Sequence, residues 1–153
     1  LIESARIARG KVSSLATFSP NAADALVIPG GFGAAKNLSS YAFDGPKCKV
    51  HPDVAKAIKD MHACGKPIGA LCIAPVLVAK VLGKVSLTIG DDQATADNLV
   101  AMGATHVPTS HGQIAIDREN KIVTTPCYML NSRVDQVAEG ADNLIRAMLE
   151  MMA

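Results

Sequence analysis

Short, wholly apolar runs alternate along the chain with segments whose apolar residues recur every three or four positions. Ala25-Leu26-Val27-Ile28-Pro29 is a continuous apolar run, the pattern of a strand buried on both faces, and it stops at Gly30-Gly31-Phe32-Gly33. Pro52 opens a helix that the spacing of Val54, Ile58 and Met61 carries through Ala63. Proline suits that first turn because its missing N–H would have no intrahelical partner there. Gly65 supplies the cap and Pro67 prevents continuation. A second buried strand, over 67–71, turns directly into a helix starting near Ile73, with Pro75 in its first turn. Residues 85–89 predict a third strand closed by Gly90, 95–102 a helix capped by Gly103, and 105–107 a short strand. Residues 114–116 and 122–125 flank the polar turn Asp117-Arg118-Glu119-Asn120-Lys121, which reads as a hairpin. In the last helix Val134, Val137, Ala138, Ala141, Leu144, Ile145, Met148, Leu149 and Met152 are expected to line one buried stripe.

Apolar strands alternating with helices predict an α/β fold with a mostly parallel sheet, in a single domain spanning residues 1–153. In such sheets ligands bind beyond the C-terminal strand ends. Two of those ends carry unusual residues. Cys72 stands between a buried strand and a helix in Gly69-Ala70-Leu71-Cys72-Ile73-Ala74-Pro75, with small residues two before and two after it. That spacing is the demand of a nucleophile elbow, whose strained turn lifts one side chain clear and leaves no room for bulk at its neighbours. The positive end of the following helix favours a thiolate there. A cysteine among apolar residues is ordinarily an inert core residue, and the elbow spacing is what reverses that reading. The second end, Pro29-Gly30-Gly31-Phe32-Gly33, is neither G-x-G-x-x-G nor a phosphate-binding P-loop. Taken with the elbow it predicts an oxyanion hole, with the N–H groups of Gly31 and Ile73 as donors.

The other polar candidates have ordinary explanations. His51 and His62 fall at a helix start and a helix flank, where solvation suffices. His106 ends a short strand and His111 sits in a polar loop, so either is available as a base, although surface roles are commoner. Glu3 and Arg6 read as a surface ion pair, Cys48 and Cys64 as structural or merely exposed, and the hydroxyls of Thr124 and Thr125 end a strand on the cleft side.

Composition narrows the function classes. With 15 Lys+Arg against 14 Asp+Glu in 153 residues, the net charge of +1 gives no electrostatic pull on phosphates. No Trp, two Tyr and three Phe leave few base-stacking platforms, so no nucleic-acid partner is expected. No apolar run approaches the ~18 residues of a membrane span, so no membrane partner is expected either. The four cysteines form no C-x-x-C pair and no metal-ligand cluster, which predicts no metal site and reduced thiols in a cytoplasmic setting. The chain begins at Leu1 rather than Met, without the features of a signal peptide, and reads as a piece of a longer protein.

Three blocks now combine: residues 29–39, beginning Pro29-Gly30-Gly31-Phe32-Gly33; Gly65-Lys66-Pro67-Ile68-Gly69 with Cys72-Ile73-Ala74-Pro75; and Asn120-Lys121-Ile122-Val123-Thr124-Thr125-Pro126. Together with Glu3-Ser4-Ala5-Arg6-Ile7-Ala8-Arg9-Gly10 they resemble the ElbB-type branch, named for enhanced lycopene biosynthesis, of the ThiJ/PfpI and class I glutamine amidotransferase-like superfamily. The resemblance implies a flavodoxin-like three-layer sandwich, a homodimer, and Cys72 as the catalytic nucleophile. It implies a glutathione-independent glyoxalase activity on a small dicarbonyl substrate, with no metal or organic cofactor. It places Gly31 and Ile73 in the oxyanion hole, and Glu3, Asn37 and Thr125 around the pocket. Many relatives in the wider superfamily carry His directly after the elbow cysteine; Ile73 stands there instead, against amidase or protease chemistry through an adjacent His. By the family plan an N-terminal strand–helix–strand unit, with the acidic partner of the cysteine, precedes residue 1.

Two other function classes use the same residues. In a redox or stress-responsive protein, sensor or deglycase, Cys72 would oxidise and Cys127, following Thr124-Thr125-Pro126, would act as its resolving thiol. In a non-catalytic dimeric binding module the elbow would carry no chemistry.

Overall fold

The computed structural model describes residues 5, 6 and 8–152. Its strands are β1 (Leu26–Ile28), β2 (Ile68–Leu71), β3 (Ser86–Leu87), β4 (Thr105–His106), β5 (Ala115–Asp117) and β6 (Ile122–Thr125). Its helices are α1 (Phe32–Lys36), α2 (Tyr41–Asp44), α3 (Pro52–Ala63), α4 (Pro75–Leu82), α5 (Gln93–Ala101) and α6 (Val134–Glu150). The main sheet has the spatial order β1-β2-β6-β5. β1, β2 and β6 run parallel, with Leu26 opposite Ile68 and Leu71 opposite Thr125. β5 closes one edge antiparallel to β6, which is the hairpin expected across the polar turn.

Alternation along the strands sorts side chains into two cores. Ile28, Ile68, Ala70 and Ile122 join Ile58 and Met61 of α3 and Leu77 of α4 in the larger one. On the opposite face Val123 packs with Leu144, Ala147 and Met148 of α6. Gly69 sits between Ile68 and Ala70 on the α6 side, and a Cβ there would lie 2.5 Å from the Met148 sulfur and 2.8 Å from a Leu144 methyl. Only glycine lets α6 come down so closely on β2. The result is a three-layer α/β/α sandwich with a mostly parallel sheet.

The bounds of α3 follow its sequence signals. Pro52 starts it, the His51 ring accepts the Asp53 N–H at 3.3 Å, and Gly65, at φ +64°, turns the chain away after Ala63. Two expectations need correction. The strand expected over 85–89 forms a ladder only at Ser86–Leu87, paired with β4 in a separate two-stranded sheet. Side chains take over where the ladder stops. The Ser86 N–H donates to the Asp117 carboxylate (2.8 Å) and the Thr88 N–H to the Thr124 hydroxyl (2.9 Å), so β3 is tied to the main sheet by side-chain bonds. In α6 the buried seam runs through Gly140, Leu144, Ala147 and Met148. Val134, Ile145, Leu149 and Met152 of the expected stripe are exposed, because the helix carries two apolar stripes and the sheet covers one.

Candidate active site

β2 ends at Leu71, and at Cys72 the backbone enters the left-handed region, φ +58°. For a non-glycine residue this costs of order 1–3 kcal/mol and persists only where the surroundings enforce it. They do so from two sides: the Cys72 N–H donates to the Thr125 carbonyl and the Ala74 N–H to the Leu71 carbonyl, each at 3.0 Å. Ala70 and Ala74 are completely buried, so larger side chains at those positions would have no space. Pro75 then starts α4. This is the nucleophile-elbow geometry, a strand, a strained turn and a helix.

The glycine loop lies directly on the elbow. Gly30 and Gly31 take φ of +86° and +81°. A Cβ on Gly30 would stand 2.4 Å from the Leu71 carbonyl oxygen and 3.1 Å from the Cys72 Cβ. Gly31 leads into α1. Among the described residues, the N–H groups of Gly31 and Ile73 donate to no acceptor, whereas those on either side of Ile73 are engaged. Both residues line a recess of about 370 Å³ with Cys72, walled by Phe32, Ala35, Tyr41, Ala42 and Met129. The recess therefore holds a half-buried thiol, two unclaimed backbone donors and otherwise apolar walls. That is the equipment for adding sulfur to a carbonyl and stabilising the oxyanion that results.

A second left-handed cysteine lies close by. Cys127 (φ +46°) opens the 3-10 turn Cys127–Met129 immediately beyond β6 and is buried. Burial pushes its thiol pKa up, negative charge on Cys72 adds to the rise, and a hydrogen bond from the Cys72 backbone offsets part of it.

No family model matches the chain. Curated proteins and solved structures do. A human protein named glutamine amidotransferase-like class 1 domain-containing protein 3, mitochondrial, is 45% identical over 160 residues, covering 99% of this chain and 60% of its own length. A crystal structure from Ehrlichia chaffeensis, described as an isoprenoid biosynthesis protein with an amidotransferase-like domain, is 36% identical with a TM-score of 0.88, over 98% of this chain and 70% of that one. The chain belongs to the class I glutamine amidotransferase-like, ThiJ/PfpI superfamily. Drosophila melanogaster DJ-1beta shares the fold, with a TM-score of 0.57 at 22% identity over 90% of this chain and 66% of its own. This chain spans about 60% of the length of curated relatives it matches.

Superfamily membership fits the elbow, but the structure gathers only part of the expected pocket around it. Cys72, Gly31 and Ile73 come together. Asn37 does not line the recess; it lines a separate groove with His51 and Lys49. Thr125 also departs from expectation. Strand alternation turns its side chain toward α6, and its hydroxyl donates to the Gln113 carbonyl at 2.8 Å, so only its backbone carbonyl serves the elbow. Glu3 lies outside the described residues. Neither His106 nor His111 lines the recess. The His111 ring pairs with the Ser132 hydroxyl at 2.7 Å. The His106 Nε2 is buried with no partner among the described residues, and burial holds that ring's pKa below the usual histidine range. Cys48 is buried and Cys64 exposed, in line with structural or surface roles.

Tyr41 and Met129 of the recess wall were missing from the sequence reading, because they arrive from segments far apart in the chain. Tyr41 has a detectable tether, its hydroxyl accepting from the Asn98 side chain at 3.0 Å. Among the described residues no three His, Cys, Asp or Glu side chains cluster as metal ligands, and no helix is long and apolar enough to cross a membrane. The cytoplasmic setting expected from the cysteines is overturned by the relatives' names. The human protein and a rat relative, ES1 protein homolog, mitochondrial (43% identical over 99% of this chain and 60% of its own), are both mitochondrial. Free thiols report a reducing compartment without telling one such compartment from another.

Proposed function

We propose that the full-length protein is a glyoxalase-like enzyme of the ElbB type, converting glyoxal or methylglyoxal to the corresponding hydroxy acid through Cys72. The observation that carries this reading is the left-handed Cys72 thiol in a small apolar recess beside the unclaimed N–H groups of Gly31 and Ile73. A recess of about 370 Å³ is at the small-molecule end of ligand sites. Its walls suit the methyl group of methylglyoxal.

In this mechanism the Cys72 thiolate adds to the aldehyde carbon, and the carbonyl π electrons move to oxygen. The two N–H groups stabilise that alkoxide. A base removes the hydrogen from the attacked carbon and returns a proton to the neighbouring carbonyl carbon, which turns the adduct into a thioester of the hydroxy acid. Water cleaves the thioester, releasing the acid and restoring the thiol. None of the described residues lining the recess is a carboxylate, so we assign the proton carrier to a carboxylate outside the described residues. The mitochondrial names of the human and rat relatives support a mitochondrial location for this protein as well.

The test is NMR of glyoxal incubated with the full-length protein and with its Cys72→Ala variant. Glycolate should accumulate catalytically with the parent protein and stay at background with the variant. Equal product from both, or loss of glyoxal without glycolate, overturns the reading.

A further inference from the structure

The elbow cysteine has a neighbour that the proposed reaction does not use. Leu71 and Thr125 are register partners on adjacent parallel strands, and such strands lie ~4.8 Å apart. Cys72 and Cys127 follow these partners by one and two residues. The two segments stay joined past the end of the ladder, since the Cys72 N–H still donates to the Thr125 carbonyl at 3.0 Å. Both cysteines then turn off their strands through left-handed backbone, φ +58° and +46°. Negative charge on Cys72 pushes the Cys127 thiol pKa further up than burial alone does, which places the Cys72 thiol within electrostatic reach of it. A disulfide needs Cα atoms ~4.4–6.8 Å apart, and Cys72 and Cys127 lie one and two residues past a register pair whose strands are still joined. Cys48 and Cys64 have no such neighbour: the charged groups near Cys48 are Lys80 and Asp44, and Cys64 is exposed at the C-terminus of α3.

We propose that Cys72 and Cys127 form a reversible redox pair, in which a hydroperoxide oxidises Cys72 and Cys127 captures it as a disulfide that switches the site off. The inference rests on the reactivity assigned to Cys72 above. In the first step the Cys72 sulfur attacks a peroxide oxygen; an S–O bond forms, the O–O bond breaks, and the departing oxygen takes a proton and leaves as water or an alcohol. Cys72 is now a sulfenic acid, oxidised by two electrons, and the peroxide is reduced by two. In the second step the Cys127 sulfur attacks Cys72; an S–S bond forms, the S–O bond breaks, and the hydroxyl leaves with the Cys127 proton as a second water. An external dithiol returns both cysteines to thiols by exchange. Burial keeps Cys127 protonated at neutral pH, so it resists the peroxide itself and reacts only with the oxidised neighbour, faster as pH rises. The bridge occupies the nucleophile and protects it from irreversible oxidation.

The test treats the reduced full-length protein with a small excess of hydrogen peroxide, blocks free thiols with N-ethylmaleimide, and maps the peptides without reduction. The expected result is a Cys72–Cys127 linked peptide that dithiothreitol abolishes. In Cys127→Ala the same peroxide dose should drive Cys72 to sulfinic acid. Sulfinic acid at Cys72 with Cys127 still a free thiol in the parent protein overturns the proposal, as does a bridge between any other pair or an unreacted Cys72. The parent protein's map decides alone if the variant does not fold. Because the map counts bonds rather than turnover, a bridge in a protein that makes no glycolate removes the enzyme and keeps the switch, and glycolate without a bridge does the reverse.

Discussion

Two concavities of this molecule teach opposite lessons. One, of about 710 Å³, runs between the 107–116 segment and α6 and is lined by His111, Gln113, Glu139, Asn143 and Arg146 among others. The other, at Cys72, is about half that size. The larger groove has the richer set of polar side chains, yet several of them are already engaged. Asn143 donates to the Gly112 carbonyl at 2.9 Å, His111 pairs with Ser132, and Arg146 pairs with Asp142 one turn away on α6. In the smaller recess the polar groups are few and unspent: a thiol and two backbone N–H groups, held by strained backbone. Size marks where the surface folds inward. Unsatisfied donors beside a strained nucleophile mark where chemistry can occur.

The sharpest way to break this comparison is to disable each concavity in turn. Cys72→Ala should bring glycolate formation down to the background rate, since the adduct and the thioester both need the thiol. Glu139→Gln in the larger groove should leave kcat/KM within about twofold, and a loss there comparable to Cys72→Ala would reverse the assignment. Next in size is Gly30→Ala. Its Cβ would stand 2.4 Å from the Leu71 carbonyl oxygen in a backbone conformation that alanine resists. Urea unfolding should show a loss of about 2–4 kcal/mol. A variant as stable as the parent would mean that the glycine loop is not locked onto the elbow.

The third prediction concerns the opposite end of the sheet, far from the chemistry. Burial alone would raise the Asp117 pKa, but hydrogen bonds from the Ser86 N–H and from the Asn120 backbone and side chain, with a further one from Glu119, outweigh it and hold the carboxyl below the usual range. A depressed folded-state pKa contributes stability that is present above the unfolded value, about 3.9, and is lost as pH falls through the folded value. Asp117→Asn should therefore cost about 1–3 kcal/mol at pH 7, with the deficit shrinking in acid below that range. A deficit independent of pH would mean that the carboxylate charge is not what the β3 connection uses. The smallest effect belongs to Thr125→Val. Losing the bond to the Gln113 carbonyl should cost about 0.5–1.5 kcal/mol with turnover unchanged, since the backbone carbonyl is what holds Cys72. A drop in kcat would return the Thr125 hydroxyl to the active site.

What the sequence showed and what it concealed divide along the same physical line. The bounds of α3 were legible because Pro52, the Val54–Ile58–Met61 spacing and Gly65 are local signals that tertiary packing does not override. The elbow was legible because Ala70 and Ala74 are a steric requirement written two residues either side of Cys72. Asn37 and Thr125 went astray because a residue near a strand end or a glycine loop can face either side, and only the register with β6 and the turn of α1 decide which. The α6 stripe misled because two apolar faces share one period, and periodicity does not say which of them the sheet covers. The walls of the recess were hidden altogether, since Tyr41 and Met129 meet Cys72 only through the fold.

The most direct test of the central claim, that the Cys72 elbow is a reactive site, compares the four cysteines within one sample. Full-length native protein would be treated with limiting iodoacetamide over a time course, and labelling at Cys48, Cys64, Cys72 and Cys127 followed by mass spectrometry. Accessibility alone would label exposed Cys64 first and half-buried Cys72 later. The account predicts the reverse order, with Cys72 alkylated first, well ahead of Cys64, and slowed by added glyoxal. Labelling of Cys72 behind Cys64, at the rate of an ordinary peptide thiol and indifferent to glyoxal, would contradict it.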